Sequence, residues 1–81
     1  MIVNVLYFAE ARDRAGRSQE PLEIADGSRL EDALALITRR RPELAPLWAH
    51  LAVAVDGVLA PRGVALRDGA EIALLPPVSG G

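Results

Sequence analysis

The amino-acid sequence predicts an α+β fold, a mixed sheet of about five strands with one main helix packed on one face. Three observations carry this. Strand-like runs open and close the chain, "IVNVLYF" and "AEIALL", both rich in alternating apolar residues. Between them one amphipathic stretch sets Leu30, Ala33, Leu34 and Ile37 at i, i+3, i+4 and i+7, a helical stripe. After it, two short apolar runs flank Asp56-Gly57, a pair that suits the type I′ turn of a tight hairpin.

Each element follows from local chemistry. The first strand spans Ile2 to Phe8. "AEARDRAGRS" is polar and rich in Ala and Arg, and predicts one or two helical turns from Ala9 to Ala15, stopped by Gly16. Ser18 to Ile24 reads as a second strand. Pro21 within it has no N–H to give to a ladder, so this strand belongs at an edge or is irregular. "ADGS" is a turn. Ser28 is the expected N-cap of the main helix, with Glu31 three residues later completing a capping box. Arg39, Arg40 and Arg41 fall in its last turn, where cations oppose the negative helix end and are expected in solvent. Pro42 disfavours helical geometry at Arg41 and marks the stop. "PELAPLWAH" is a Pro-punctuated connection with room for a helical turn. The hairpin, a turn at Arg67-Asp68-Gly69 and the last strand follow.

The chain has 81 residues, enough for one domain, and a domain this small buries only about 60% of its unfolded surface. Hydrophobic residues make up 51%, with one Trp, one Tyr and one Phe, so aliphatic packing carries the core. There is no cysteine, which excludes a disulfide scaffold, a cysteine metal knuckle and side-chain thiol chemistry. Net charge is −2, without the basic footprint that nucleic acid requires. No segment approaches the ~20 apolar residues that span a bilayer. The start lacks a positive n-region and a cleavage site, so no signal peptide is expected, and a cytoplasmic location is the default. All nine basic residues are Arg.

The predicted order is strand, strand, helix, strand, short strand, strand. The first two strands form a hairpin, the helix crosses over, and the rest complete the sheet. The β-grasp, or ubiquitin-like, fold has this order. A sheet covered by one helix leaves its other face to solvent or a partner. Strand alternation then assigns sides. With Asn4 outward, Leu6 and Phe8 point out and Val3, Val5 and Tyr7 point in. With Glu71 outward, Ala73 and Leu75 follow, leaving Ile72 and Leu74 inside. In the hairpin Val53 and Val55 face the helix, and Ala54 and Leu59 face out. Leu6, Phe8, Leu59 and Leu75 therefore converge on the uncovered face. Scattered exposed apolar residues are ordinary, but four large ones together point to a protein interface.

The domain is expected to cover residues 1–75, with a flexible tail, "PPVSGG", at 76–81. Pro76 and Pro77 favour an extended stalk. Val78 and Ser79 are modest in size, and Gly80 and Gly81 carry no side chain and tolerate unusual backbone angles. Such an end can be threaded into a narrow active site.

With these features the chain resembles the small, sulfur-carrier subunits of molybdopterin synthase. The likeness rests on "VLYFAEARDRAG", "DGSRLEDALALI" and "LLPPVSGG". Tyr7, Phe8, Ala9 and Arg12 match the family's aromatic first strand and the segment after it, and Pro76 to Gly81 match its tail. Leu75 departs from the aromatic that often precedes the two prolines, which affects affinity more than identity. The resemblance implies that the Gly81 carboxylate is adenylated with ATP by a ubiquitin-activating-like adenylyltransferase. A desulfurase- or rhodanese-type donor then makes it a thiocarboxylate. The charged tail enters the large subunit and gives its sulfur to cyclic pyranopterin monophosphate, building the dithiolene of molybdopterin. It further implies a heterotetramer of two small and two large subunits, with this chain as the non-catalytic sulfur-donor subunit. No bound cofactor, metal, nucleic acid or membrane is implied.

A thiocarboxylate sulfur is soft and anionic, a better nucleophile than a carboxylate oxygen, so activation is by covalent conversion and needs no catalytic side chain here. His50, the one histidine, has no second catalytic group near it in sequence and reads as structural or exposed. Asp26, Asp56 and Asp68 each precede a glycine and read as turn residues. Other readings are a sulfur carrier for thiamine, tRNA thiolation or cysteine synthesis, a ubiquitin-like protein modifier, and a plain interaction module. The thiamine carriers are usually shorter and lack the Pro-Pro stalk. The absence of Lys rules out self-chaining through lysine but not attachment to other proteins.

Overall fold

The computed structural model describes residues 1–77. Strand β1 (Ile2–Tyr7) leads into helix α1 (Ala9–Ala15), then β2 (Gln19–Glu23), α2 (Leu30–Arg40), a 3-10 helix (Pro42–His50), β3 (Ala52–Val55), β4 (Val58–Leu59) and β5 (Glu71–Leu75). The five strands form one sheet in the order β2-β1-β5-β3-β4. β1 and β5 run parallel at its centre, and the other neighbours are antiparallel. The expected mixed sheet is present, with α2 as the main helix. The predicted order also stands, enlarged by α1 and the 3-10 helix.

The core lies between α2 and one sheet face. Val3, Val5 and Tyr7 of β1 and Ile72 and Leu74 of β5 are buried, as are Leu30, Ala33, Leu34 and Ile37 of α2. Val53 and Val55 pack against this cluster. The alternation read from Asn4 and Glu71 is therefore correct on both central strands.

Pro21 sits where its missing N–H costs nothing. Tyr7 N–H donates to Ser18 O at 2.8 Å and Ile24 N–H to Met1 O at 2.9 Å, so the odd residues of β1 make the ladder bonds. Asn4, opposite Pro21, falls between them, and the proline nitrogen faces the open edge. The hairpin turn is of type I′: Asp56 and Gly57 have φ of 51° and 84°, as its two central positions require. Asp56 also ties the turn to β5, its Oδ1 accepting from Glu71 N–H at 2.9 Å. Asp68 Oδ1 accepts from Ile2 N–H at 2.8 Å.

Two expectations at α2 are corrected. Ser28 is not the N-cap: its Oγ donates to Ala25 O at 2.6 Å, and the helix starts one residue later, with Arg29 at the cap. Asp32, not Glu31, reaches back, its Oδ2 accepting from Arg29 N–H at 2.8 Å. The first helical N–H groups are satisfied by a distant loop. Leu30 N–H donates to Val64 O at 2.9 Å and Glu31 N–H to Arg62 O at 2.7 Å. Loop carbonyls thus replace a side-chain cap. At the other end Arg39 and Arg40 are exposed, but Arg41 is not a solvated helix-end cation. It ends the helix and closes on Glu20.

Candidate functional site

The face of the sheet away from α2 carries a continuous lateral row. Leu6 pairs with Ala73, Ala73 with Ala54, and Ala54 with Leu59. Cross-strand partners share a face, so these four residues stand side by side over four strands. Two leucines bracket two alanines, which gives a low floor between raised ends. Ala54, only 4% exposed, lies in that floor outside the main core cluster. One step towards the tail, Leu75 pairs with Ala52. One step the other way the face turns polar, with Asn4 opposite Glu71 and Asn4 Nδ2 donating to Gln19 Oε1 at 2.8 Å. Beyond that polar step Ile2, 52% exposed, shares the parity of Asn4, so the continuous apolar row lies at the end from which the tail leaves and a single isoleucine at the other.

Phe8 lies just beyond β1 rather than within it. Its backbone is extended, with φ −121° and ψ 152°, and its N–H donates to Leu74 O at 3.3 Å, which sets it beside the end of β5. Phe8 is 42% exposed and Leu59 is 60% exposed, while Leu6 and Leu75 are half-buried. Leu6, Phe8 and Leu75 are thus neighbours across the two central strands, and Leu59 closes the same row at the sheet edge. Pro76 and Pro77 continue from β5 and are exposed. Val78, Ser79, Gly80 and Gly81 lie outside the described residues.

Ala9, at φ 50°, turns the chain sharply after Phe8, a conformation that costs an alanine side chain energy. Between Phe8, Leu47, Leu51, Pro76 and Pro77 this turn leaves an apolar groove of about 420 Å³, also lined by Glu10 and His50. His50 is exposed, and apart from Glu10 no titratable group lines the groove with it. Among the described residues no three His, Cys, Asp or Glu side chains gather as a metal site, and no helix is long and apolar enough to cross a membrane.

A buried ion cluster, not foreseen from the sequence, braces the same end. Glu20 is 7% exposed. Its Oε1 accepts from the Tyr7 hydroxyl at 2.7 Å and from Arg41 Nε at 3.1 Å. Its Oε2 accepts from Arg17 at 2.9 Å and from a second Arg41 nitrogen. The Arg41 hydrogen bonds, helped by the Tyr7 hydroxyl and Arg17, outweigh burial and hold the carboxyl pKa down at about 2. Burial, reinforced by Glu20, pushes the Tyr7 hydroxyl well above its usual range. The carboxylate raises the already high value of Arg41. The sequence did hold one signal: Glu20 shares strand parity with Leu22, so an inward Leu22 carries Glu20 inward, where a carboxylate needs a cation.

The five-stranded mixed sheet, the helix across one face and the tail leaving a central strand define a ubiquitin-like β-grasp protein. Residues 5–81 match the ThiS family, and the chain belongs to it. The molybdopterin synthase sulfur carrier subunit of Chlamydomonas reinhardtii is 39% identical over 83 residues, covering 100% of both chains. Among solved structures, SAMP1 from Haloferax volcanii superimposes with a TM-score of 0.88 at 28% identity, covering 100% of both chains. A chain of the complex of subunits 1 and 2 of molybdopterin-converting factor from Helicobacter pylori gives a TM-score of 0.76 at 27% identity, also with 100% coverage of both.

Proposed function

We propose that this chain is the sulfur carrier subunit of a molybdopterin synthase, acting in the cytoplasm. The observation that carries the reading is the placement of the tail. It leaves β5 beside the apolar row of the open face, so a partner seated on Leu6, Leu75 and Leu59 is positioned to receive residues 78–81. The full-length likeness to the Chlamydomonas reinhardtii carrier subunit supports the choice of pathway.

In this reading an adenylyltransferase uses ATP to convert the Gly81 carboxylate into an acyl-adenylate, releasing pyrophosphate. The persulfide of a desulfurase- or rhodanese-type donor displaces AMP to give an acyl disulfide, and a thiol then cleaves its S–S bond, leaving the thiocarboxylate on Gly81 and a new disulfide behind. The large subunit, in a heterotetramer of two small and two large chains, binds the apolar row and takes the narrow tail into its active site. There the sulfur passes to cyclic pyranopterin monophosphate. Pro76 and Pro77 carry the tail away from the sheet; Val78, Ser79 and Gly80 thread it. No side chain of this protein takes part in the chemistry.

The test is the intact mass of the protein after incubation with ATP, the adenylyltransferase and a sulfur donor. One oxygen exchanged for sulfur, absent from a chain lacking Gly81, is the expected result. No exchange, with enzymes shown to be active on another carrier, overturns the reading. A second reading, a protein modifier joined through Gly81 to other proteins, is favoured by the likeness to SAMP1, a small archaeal modifier protein. Conjugates of higher mass in place of the thiocarboxylate would select it.

A further inference from the structure

The groove behind Phe8 lies beside the interface described above and shares only the Phe8 side chain and the tail root with it. It opens on the α1 side of the tail root, is apolar along Phe8, Leu47 and Leu51, and encloses about 420 Å³. Pro76 and Pro77 form part of its wall, and residue 78 follows by one peptide link. We propose that this groove is the resting seat of the chain's own tail, with the Val78 side chain as occupant, and that a partner lifts Val78 out to take the residues beyond it. The seat stands on the groove itself; its effect on sulfur transfer rests on the carrier reading.

Three arguments single out this occupant. The first is reach. Four residues follow Pro77 and span at most about 14 Å when extended, a reach that takes in the groove beside the tail root. The second is chemistry. Of those four residues, Val, Ser, Gly and Gly, only Val78 carries a hydrocarbon side chain, and the groove offers a hydrocarbon lining. Seating it covers part of the Phe8 ring and removes apolar area from water. The third is entropy. Val78 is one peptide link from the wall, and Pro76 and Pro77 already fix their φ angles. The seat closes a very short loop, whereas a separate molecule gives up translational and rotational freedom to fill the same space.

The test uses the whole chain, alone, with methyl-labelled valine and leucine. Val78 methyl signals shifted upfield by the Phe8 ring, with nuclear Overhauser contacts to Phe8 and Leu51, are expected. In Val78→Ser, and in a chain ending at Pro77, the amide signals of Ala9 and Leu51 should move to a common new position. Val78 methyls at the free-valine position, or Ala9 and Leu51 amides indifferent to truncation, overturn the proposal. So do contacts that vanish on dilution, which would give the groove to a second copy. Leu51→Ser spoils the seat and leaves the tail intact. If the tail is seated about nine-tenths of the time, this change tightens large-subunit binding roughly tenfold, and unchanged affinity overturns the displacement step. A seated Val78 in a chain that never gains a thiocarboxylate would sink the carrier reading and leave the seat standing.

Discussion

Arg41, the residue that ends α2, holds the carboxylate of Glu20, the first inward-facing residue of β2, through two of its nitrogens. Tyr7, at the end of β1, shares the same carboxylate. One buried anion therefore joins the main helix to both strands of the first hairpin, next to the residue from which Phe8 projects.

Removing the cation should expose this dependence. In Arg41→Met the Glu20 carboxylate stays buried with Arg17 as its remaining ion pair. Breaking a buried pair from one side typically costs 3–5 kcal/mol, and the surviving Arg17 contact places the expected loss at about 3 kcal/mol. A urea melt read by circular dichroism checks it. A loss below about 1 kcal/mol, the range of exposed pairs, would show that the cluster contributes little.

Acid should act through the same group. The folded carboxyl titrates at about 2, below its ordinary 4.5, so the unfolded chain binds the proton more readily. Stability is therefore full above pH 4.5 and is lost as pH falls from there towards 2. The total from this group is about 3 kcal/mol. Denaturant midpoints between pH 6 and 2.5 should fall steeply in the native sequence and less in Glu20→Gln.

The apolar row predicts a separation of docking from folding. Leu59→Asp places a charge at a position 60% exposed, where it costs the fold little, and at the raised end of the row a partner would cover. Binding to the large subunit should weaken by more than tenfold, roughly 1.4 kcal/mol or more, with the melting temperature nearly unchanged. Phe8→Asp should behave alike. Equal affinity in a calorimetric titration would remove these residues from the interface.

Deleting Gly81 should leave the melting temperature and large-subunit docking intact and abolish molybdopterin formation. A truncated chain that still supports synthesis would refute the tail mechanism.

Much of this was legible in the sequence because it is local. Asn4 and Glu71 fix the parity of the two central strands, and Asp56-Gly57 fixes the hairpin turn and through it the outward side of Leu59. Gly16 stops α1 in the left-handed conformation at φ 73°. What escaped depends on residues far apart in the chain. Ser28 is a sound local cap candidate, but the carbonyls of Arg62 and Val64 arrive from a loop over thirty residues on and satisfy the helix instead. Arg41 reads as a helix-end cation until β2 brings Glu20 beneath it. The groove behind Phe8 is assembled from Phe8, α1, the end of the 3-10 helix with Leu51, and the tail root, and no short stretch announces it.

The strand order has one more consequence. β5 is the last strand to be synthesised, yet it stands between β1 and β3 in the middle of the sheet. Until Glu71–Leu75 has been made, the chain holds two separate strand pairs, β1 with β2 and β3 with β4, and such pairs are marginal in water. Folding must await the segment that leads directly into the tail. A chain broken off before β5 has no sheet with which to dock, so a partner that recognises the folded face inspects, in the same act, whether the central strand has been made.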